Sequence, residues 1–121
     1  STGTPWKKVN SNYQSINVAQ QKADPNSVLN HFKKMSQIRK ANKVLVYGDY
    51  EIIQEEHPTV YAFKRFDEQS SHTILLNFSE TNSEITLDEA FEGKTPLINN
   101  YEQLQTEGNT IVLLPYQAVV F

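Results

Sequence analysis

Only one stretch of this sequence repeats its apolar residues at helical spacing, and after it the pattern breaks into short strand-like runs. The stretch opens at Asp24-Pro25-Asn26-Ser27, where Asp24 offers an N-cap acceptor and Pro25 sits at the first helical position, which has no use for an N–H. The spacing predicts a helix from there to Ala41-Asn42, with Lys33, Lys34, Arg39 and Lys40 toward the end that the macrodipole favours for cations. Beyond it, strand-like runs are predicted at Val44–Tyr47, Tyr50–Ile53, Thr59–Phe66, His72–Phe78, Glu84–Leu87, Thr95–Ile98, Thr110–Leu114 and Ala118–Phe121. Thr59–Phe66 and His72–Phe78, joined by the polar turn Asp67–Ser71, form the best-specified hairpin. Short strands with no second helix between them exclude a parallel βαβ sheet. The predicted fold class is mainly β: an antiparallel β-sandwich with Greek-key-like connections, preceded by an irregular segment and one α-helix.

Composition narrows the partners. The 121 residues carry 14 acids against 11 Lys and Arg, a formal charge of −3, so no basic excess points to nucleic acid or an anionic membrane surface. No apolar run reaches the roughly 18–20 residues of a membrane span, and the start does not resemble a signal peptide. The chain has no cysteine, which removes disulfides, thiolate metal sites and a Cys nucleophile, and fits a cytoplasmic setting. It opens Ser1-Thr2-Gly3-Thr4-Pro5-Trp6 and has its only methionine at Met35, as expected of a piece of something longer.

Within the predicted helix, Val28, Leu29, Phe32, Met35 and Ile38 spread over roughly half the circumference, wider than the ~100° stripe of an ordinary surface helix. Such a helix packs on two neighbours at once. Residues 1–23 show no period, and their scattered Trp6, Val9, Tyr13, Ile16 and Val18 are expected to anchor an irregular segment onto something else.

The search for chemistry returns little. His31, His57 and His72 lack metal-ligand spacing and are expected in structural or solvent roles. The carboxylate pairs Glu55-Glu56, Asp67-Glu68 and Asp88-Glu89 fall in polar turns or strand ends, where they stay solvated and ionised rather than forming a catalytic dyad. No serine sits in a nucleophile elbow, and the four glycines make no phosphate-cradling loop. The aromatic group Tyr47, Tyr50, Tyr61, Phe63 and Phe66 is expected in the core or an interface, with a sugar-stacking platform as the alternative. No catalytic, cofactor-binding or metal-binding residue is assigned, and no cofactor is expected.

Several segments resemble, in order and spacing, the C-terminal region of glycoside hydrolase family 13 enzymes of the oligo-1,6-glucosidase and α-glucosidase group. They are Thr2-Gly3-Thr4-Pro5-Trp6, Val9-Asn10-Ser11-Asn12-Tyr13, Ile16-Asn17-Val18, Asp24-Pro25-Asn26-Ser27-Val28, Phe32-Lys33-Lys34-Met35, Ile38-Arg39-Lys40 and Leu45-Val46-Tyr47-Gly48-Asp49-Tyr50. Further on are Val60-Tyr61-Ala62-Phe63-Lys64-Arg65, Leu76-Asn77-Phe78, Ile98-Asn99-Asn100-Tyr101 and the closing Leu114-Pro115-Tyr116-Gln117-Ala118-Val119-Val120-Phe121. The chain departs from the pattern at Ser11, where the family usually has proline. The resemblance implies that residues 1–42 are the terminal loop and last helix of a (β/α)₈ barrel and 43–121 the C-terminal antiparallel β-domain. It also implies a parent that hydrolyses terminal α-glucosidic bonds with retention, whose catalytic carboxylates lie upstream of Ser1. The partner it implies is the catalytic barrel of the same polypeptide. Without that barrel, Val28, Leu29, Phe32, Met35 and Ile38 would lose one packing neighbour, so the isolated chain is expected to refold onto itself or self-associate through them. The alternatives are a carbohydrate-binding β-sandwich module and a free-standing interaction domain.

Overall fold

The computed structural model describes residues 2–121. Compact packing divides them into two units, one ending at Ser36 and the other running from Gln37 to Phe121.

In the first unit, residues 2–17 form turns that lead to a six-residue helix, α1 (Val18–Ala23). Asn17 caps it, its side-chain oxygen accepting the Gln20 N–H at 3.0 Å. This helix departs from the expected irregular segment: a single Asn cap and one turn suffice where no longer apolar period exists. Helix α2 (Val28–Ala41) then begins three residues later than expected. Ser27, not Asp24, holds its start: the Ser27 hydroxyl accepts the Asn30 N–H at 3.2 Å, and the Ser27 carbonyl accepts that of His31 at 2.9 Å. Asp24 instead accepts the Asn26 N–H at 2.9 Å in a turn, leaving Pro25 before the helix.

The second unit begins within α2. Val44–Tyr47, expected as a strand, is instead a single helical turn, α3. Two tertiary features override its β-branched composition. The Arg65 guanidinium donates to the Gly48 carbonyl at 2.7 Å and the Val46 carbonyl at 3.4 Å, taking up acceptors that a turn this short leaves free. Gly48 lets the turn press against the sheet, since a Cβ there would stand 2.6 Å from Val44 and 2.7 Å from the Phe66 carbonyl.

Eight strands follow: β1 (Asp49–Ile53), β2 (Val60–Phe66), β3 (Ser71–Asn77), β4 (Ser83–Thr86), β5 (Ile98–Asn99), β6 (Gln105–Glu107), β7 (Thr110–Leu113) and β8 (Ala118–Val120). They form a five-stranded sheet ordered β1-β2-β3-β8-β5 and a three-stranded sheet ordered β4-β7-β6, every pairing antiparallel. The expected sandwich is thus the observed one. The β2–β3 hairpin pairs Ala62 with Leu75 and Tyr61 with Leu76. Its turn is written by Asp67, whose carboxylate accepts the N–H groups of Gln69 and Ser70 and the Ser70 hydroxyl. These bonds to backbone N–H groups hold the Asp67 carboxyl below its ordinary range. The expected Thr95–Ile98 strand shrinks to Ile98–Asn99 because Pro96 has no N–H to give. Strand β6 was not expected, since Gln-Thr-Glu carries no apolar residue; it edges the smaller sheet.

Alternate residues of both sheets meet in one core: Val60, Ala62, Leu75 and Val119 from the larger sheet, Ile85, Ile111 and Leu113 from the smaller, with Leu87 and Phe91 joining them. Phe91 packs against Phe121 with ring centroids 4.6 Å apart and the planes tilted by 55°.

Candidate functional site

His57 and His72 are engaged in hydrogen bonds to the backbone. The His57 Nδ1 accepts the N–H groups of Thr59 (3.3 Å) and Val60 (3.0 Å), and its Nε2–H donates to the Glu84 carbonyl at 2.9 Å. This geometry fixes one tautomer and ties the start of β2 to β4. His72 donates from Nδ1 to the Phe121 carbonyl at 2.7 Å. His31 lies half-buried on α2 in the other unit. Among the described residues, no three acidic or histidine side chains are placed to hold a metal ion.

Of the carboxylate pairs, Glu55-Glu56 and Asp67-Glu68 are exposed in turns. Asp88-Glu89 lines a cavity of about 160 Å³ with Ile53, Gln54, Lys64, Thr73 and Leu87. This is smaller than the roughly 300–1,000 Å³ of ordinary ligand pockets. Glu89 is held below the usual carboxylate range, first by its hydrogen bond from Lys94 at 2.9 Å and then by the charges of Lys94 and Lys64. A general acid requires the opposite shift.

The aromatic group lies outside the core, contrary to one half of the expectation. Tyr47, Tyr50 and Tyr61 are exposed, while Phe63 and Phe66 are half-buried. Tyr50 and Tyr61 flank Phe63 at 5.3 and 5.4 Å, tilted by 36° and 43°. Their hydroxyls bond to each other, which raises the Tyr50 pKa above its ordinary value.

Sequence reasoning missed two buried polar centres. The Asn77 amide donates to the carbonyls of Thr81 (2.8 Å), Leu113 (3.3 Å) and Leu114 (2.9 Å). Its oxygen accepts the N–H and hydroxyl of Ser79 and the hydroxyl of Ser83. Gln117 donates to Asn99 and to the Gln103 carbonyl, both at 2.9 Å, and accepts the Leu114 N–H at 2.8 Å. The available signal was an amide directly flanking an apolar run: Asn77 after Ile74-Leu75-Leu76 and Gln117 before Ala118-Val119-Val120.

The surface feature that remains is apolar. Helix α2 has no buried residue: Val28, Phe32 and Met35 stand exposed, and Leu29 and Ile38 are half-buried. The anchors Trp6, Val9, Tyr13, Ile16 and Val18 are exposed as well, Trp6 to 91%.

A unit with exposed apolar side chains thus precedes an antiparallel sandwich, and the two parts of the chain match two different family models. Residues 1–48 match the model of the alpha amylase catalytic domain, and residues 50–120 that of the maltogenic amylase C-terminal domain. The chain belongs to glycoside hydrolase family 13, in the C-terminal region of its oligo-1,6-glucosidase and α-glucosidase group. It is 37% identical to the oligo-1,6-glucosidase of Halalkalibacterium halodurans and 38% identical to that of Parageobacillus thermoglucosidasius, each over 98% of this chain and 22% of the relative. Among solved structures, it is similar to trehalose-6-phosphate hydrolase of Bacillus licheniformis (TM-score 0.83, 32% identity) and isomaltulose synthase of Klebsiella sp. LX3 (TM-score 0.84, 34% identity). Both matches cover 98% of this chain and 22% of the other. The chain therefore spans about a fifth of the length of these relatives.

Proposed function

We propose that this chain is the non-catalytic C-terminal region of an α-glucosidase-type enzyme that hydrolyses terminal α-glucosidic bonds of oligosaccharides with retention, on two carboxylates carried elsewhere in the polypeptide. Residues 1–42 close the catalytic barrel, residues 43–121 form the β-domain that braces it, and the setting is cytoplasmic. The observation that carries this reading is the exposed stripe of α2. Val28, Phe32 and Met35 face water while the sandwich has a complete core of its own. Large apolar side chains grouped on one helix face mark a contact surface, and about 25 cal/mol per Å² favours covering it. The catalytic barrel of the same polypeptide is the occupant in the parent, and a second copy of the stripe is the occupant for the isolated chain.

Two measurements test this. The 121-residue chain releases no p-nitrophenol from p-nitrophenyl α-glucoside, whereas the parent does; turnover by the chain alone would overturn the non-catalytic reading. In sedimentation equilibrium the isolated chain self-associates and Phe32→Asp makes it monomeric; a monomeric wild-type chain would count against the stripe as a contact surface.

A further inference from the structure

Tyr116 is a bulky L-residue with φ at 55°, in the left-handed region where a Cβ is penalised. It is the third residue of the turn Leu114-Pro115-Tyr116-Gln117, closed by the Gln117 N–H on the Leu114 carbonyl at 3.0 Å. Glycine or asparagine ordinarily fills that slot. The surroundings hold the conformation from every side. The Tyr116 N–H donates to the Ser79 carbonyl at 3.2 Å, and its carbonyl accepts from the Asn100 amide at 2.9 Å. The Tyr101 hydroxyl donates to the Pro115 carbonyl at 2.8 Å. What all this fixes in place is a ring left 56% exposed, whose hydroxyl reaches only the Glu80 carboxylate, at 3.4 Å.

The turn seats the buried Gln117 and joins β7 to β8, yet the strained residue itself sends its ring into solvent, and over-determined strain at an exposed side chain also occurs at ligand clamps. The chemistry around the ring is polar. A carboxylate stands at its tip, and an amide and a second, exposed tyrosine bond the backbone carbonyls of the turn at its base. A flat aromatic face edged by hydrogen-bonding groups suits a pyranose, whose C–H face stacks while its hydroxyls donate to the carboxylate. An aliphatic stripe such as that on α2 suits a protein instead. We propose that the Tyr116 turn is a surface saccharide-binding site for a glucosyl residue of an α-linked oligosaccharide, with Tyr116 as the platform and Glu80 as acceptor of a sugar hydroxyl. The choice of glucosyl rests on the α-glucosidase reading; the stacking geometry does not.

The test is an NMR titration of the ¹⁵N-labelled 121-residue chain with maltotriose and, separately, isomaltotriose. Saturable shifts at the Glu80, Tyr116 and Gln117 amides are expected, with half-saturation on the order of millimolar for so shallow a site. Tyr116→Gly should weaken binding at least about 10-fold while holding or raising the thermal midpoint, because glycine adopts this φ freely. Tyr116→Asn, also tolerant of the conformation, repeats the test should the glycine variant loosen the turn. Tyr50→Ala should leave the titration unchanged. No shift with either sugar, or shifts that survive Tyr116→Gly, would overturn the proposal. So would protection of Tyr116 from nitration in the sugar-free parent enzyme, which would mark the ring as a protein contact. Hydrolysis by the parent is measured independently, so either proposal can fail alone.

Discussion

Phe32 and Phe91 have the same side chain and opposite fates. Phe32, in the first unit, is 67% exposed, whereas Phe91, in the second, is 1% exposed and packed on Phe121. Asn30 and Asn77 repeat the contrast in polar form. Asn30 donates to the carbonyls of Gln21, Lys22 and Asp24 near the surface, and Asn77 donates to three carbonyls out of solvent. The second unit closes an apolar core of its own, while α2 and the segment before it leave their large apolar side chains uncovered. Large apolar side chains grouped and uncovered on one helix face form a surface suited to contact.

The sharpest way to break this comparison is a matched pair of truncations. Phe91→Ala should lower the unfolding free energy of the chain by about 3–5 kcal/mol, the usual range for emptying a buried aromatic site. Phe32→Ala, compared at concentrations low enough to keep the chain monomeric, should stay within about 0.5 kcal/mol, as surface substitutions do. Urea unfolding reads both. Comparable losses would mean that α2 contributes to a common core after all.

A smaller effect is expected at the two asparagines. Asn77→Ala leaves three carbonyls and the Ser79 and Ser83 donors short of partners, with little water to replace them, and should destabilise by about 3 kcal/mol. Asn30→Ala opens the same number of carbonyls to solvent and should lose about 1 kcal/mol or less. Circular dichroism melts of the two variants measure the gap. Equal shifts would remove the distinction between a buried hub and a surface one.

The contrast also explains how far the sequence could be read. The β2–β3 hairpin was legible because period-2 aromatics, β-branched residues and an Asp-led turn all favour one register. Helix α2 was legible from its period, although its start was not, because Asp24 and Ser27 are equally good caps and the hydrogen bonds that Gln21 makes to Ser27 and Leu29 fix the start at Ser27. Val44–Tyr47 was misread because its helical turn depends on Arg65, about twenty residues on, and on a glycine needed for space rather than for φ. The Tyr116 turn was invisible for a related reason. Its signal would have been a glycine after Pro115, and the chain places a tyrosine there, held by Ser79, Asn100 and Tyr101. Local chemistry reads out locally closed structure; whatever distant residues hold in place has to be seen.

The smallest expected effect concerns charge, and it belongs to the sandwich alone. Glu89 pairs with Lys94 at 2.9 Å and with Lys64 at 3.7 Å, and Lys94 lies 4.3 Å from the centre of the Phe91 ring, which links the pair to the core. The carboxyl's pKa is depressed in the folded state, so its stabilisation is present above the ordinary Glu value and is lost as pH falls through the folded value. With both side chains nearly half exposed, solvent screening limits the gain to about 0.2–1 kcal/mol. Glu89→Gln should therefore be less stable than wild type by that amount at pH 7. The difference should close as the pH falls through the depressed value of the folded carboxyl, below the ordinary Glu range, and shrink in 1 M salt. Hydrogen exchange locates the effect: amides of β3, which report on opening of the sandwich, should exchange faster in Glu89→Gln at neutral pH, and those in the first turns of α2 should not change. A difference that survived acid would assign Glu89 a packing role instead of an electrostatic one. A matching change in α2 would show that the helix shares the sandwich's stability, although no side chain along it is buried.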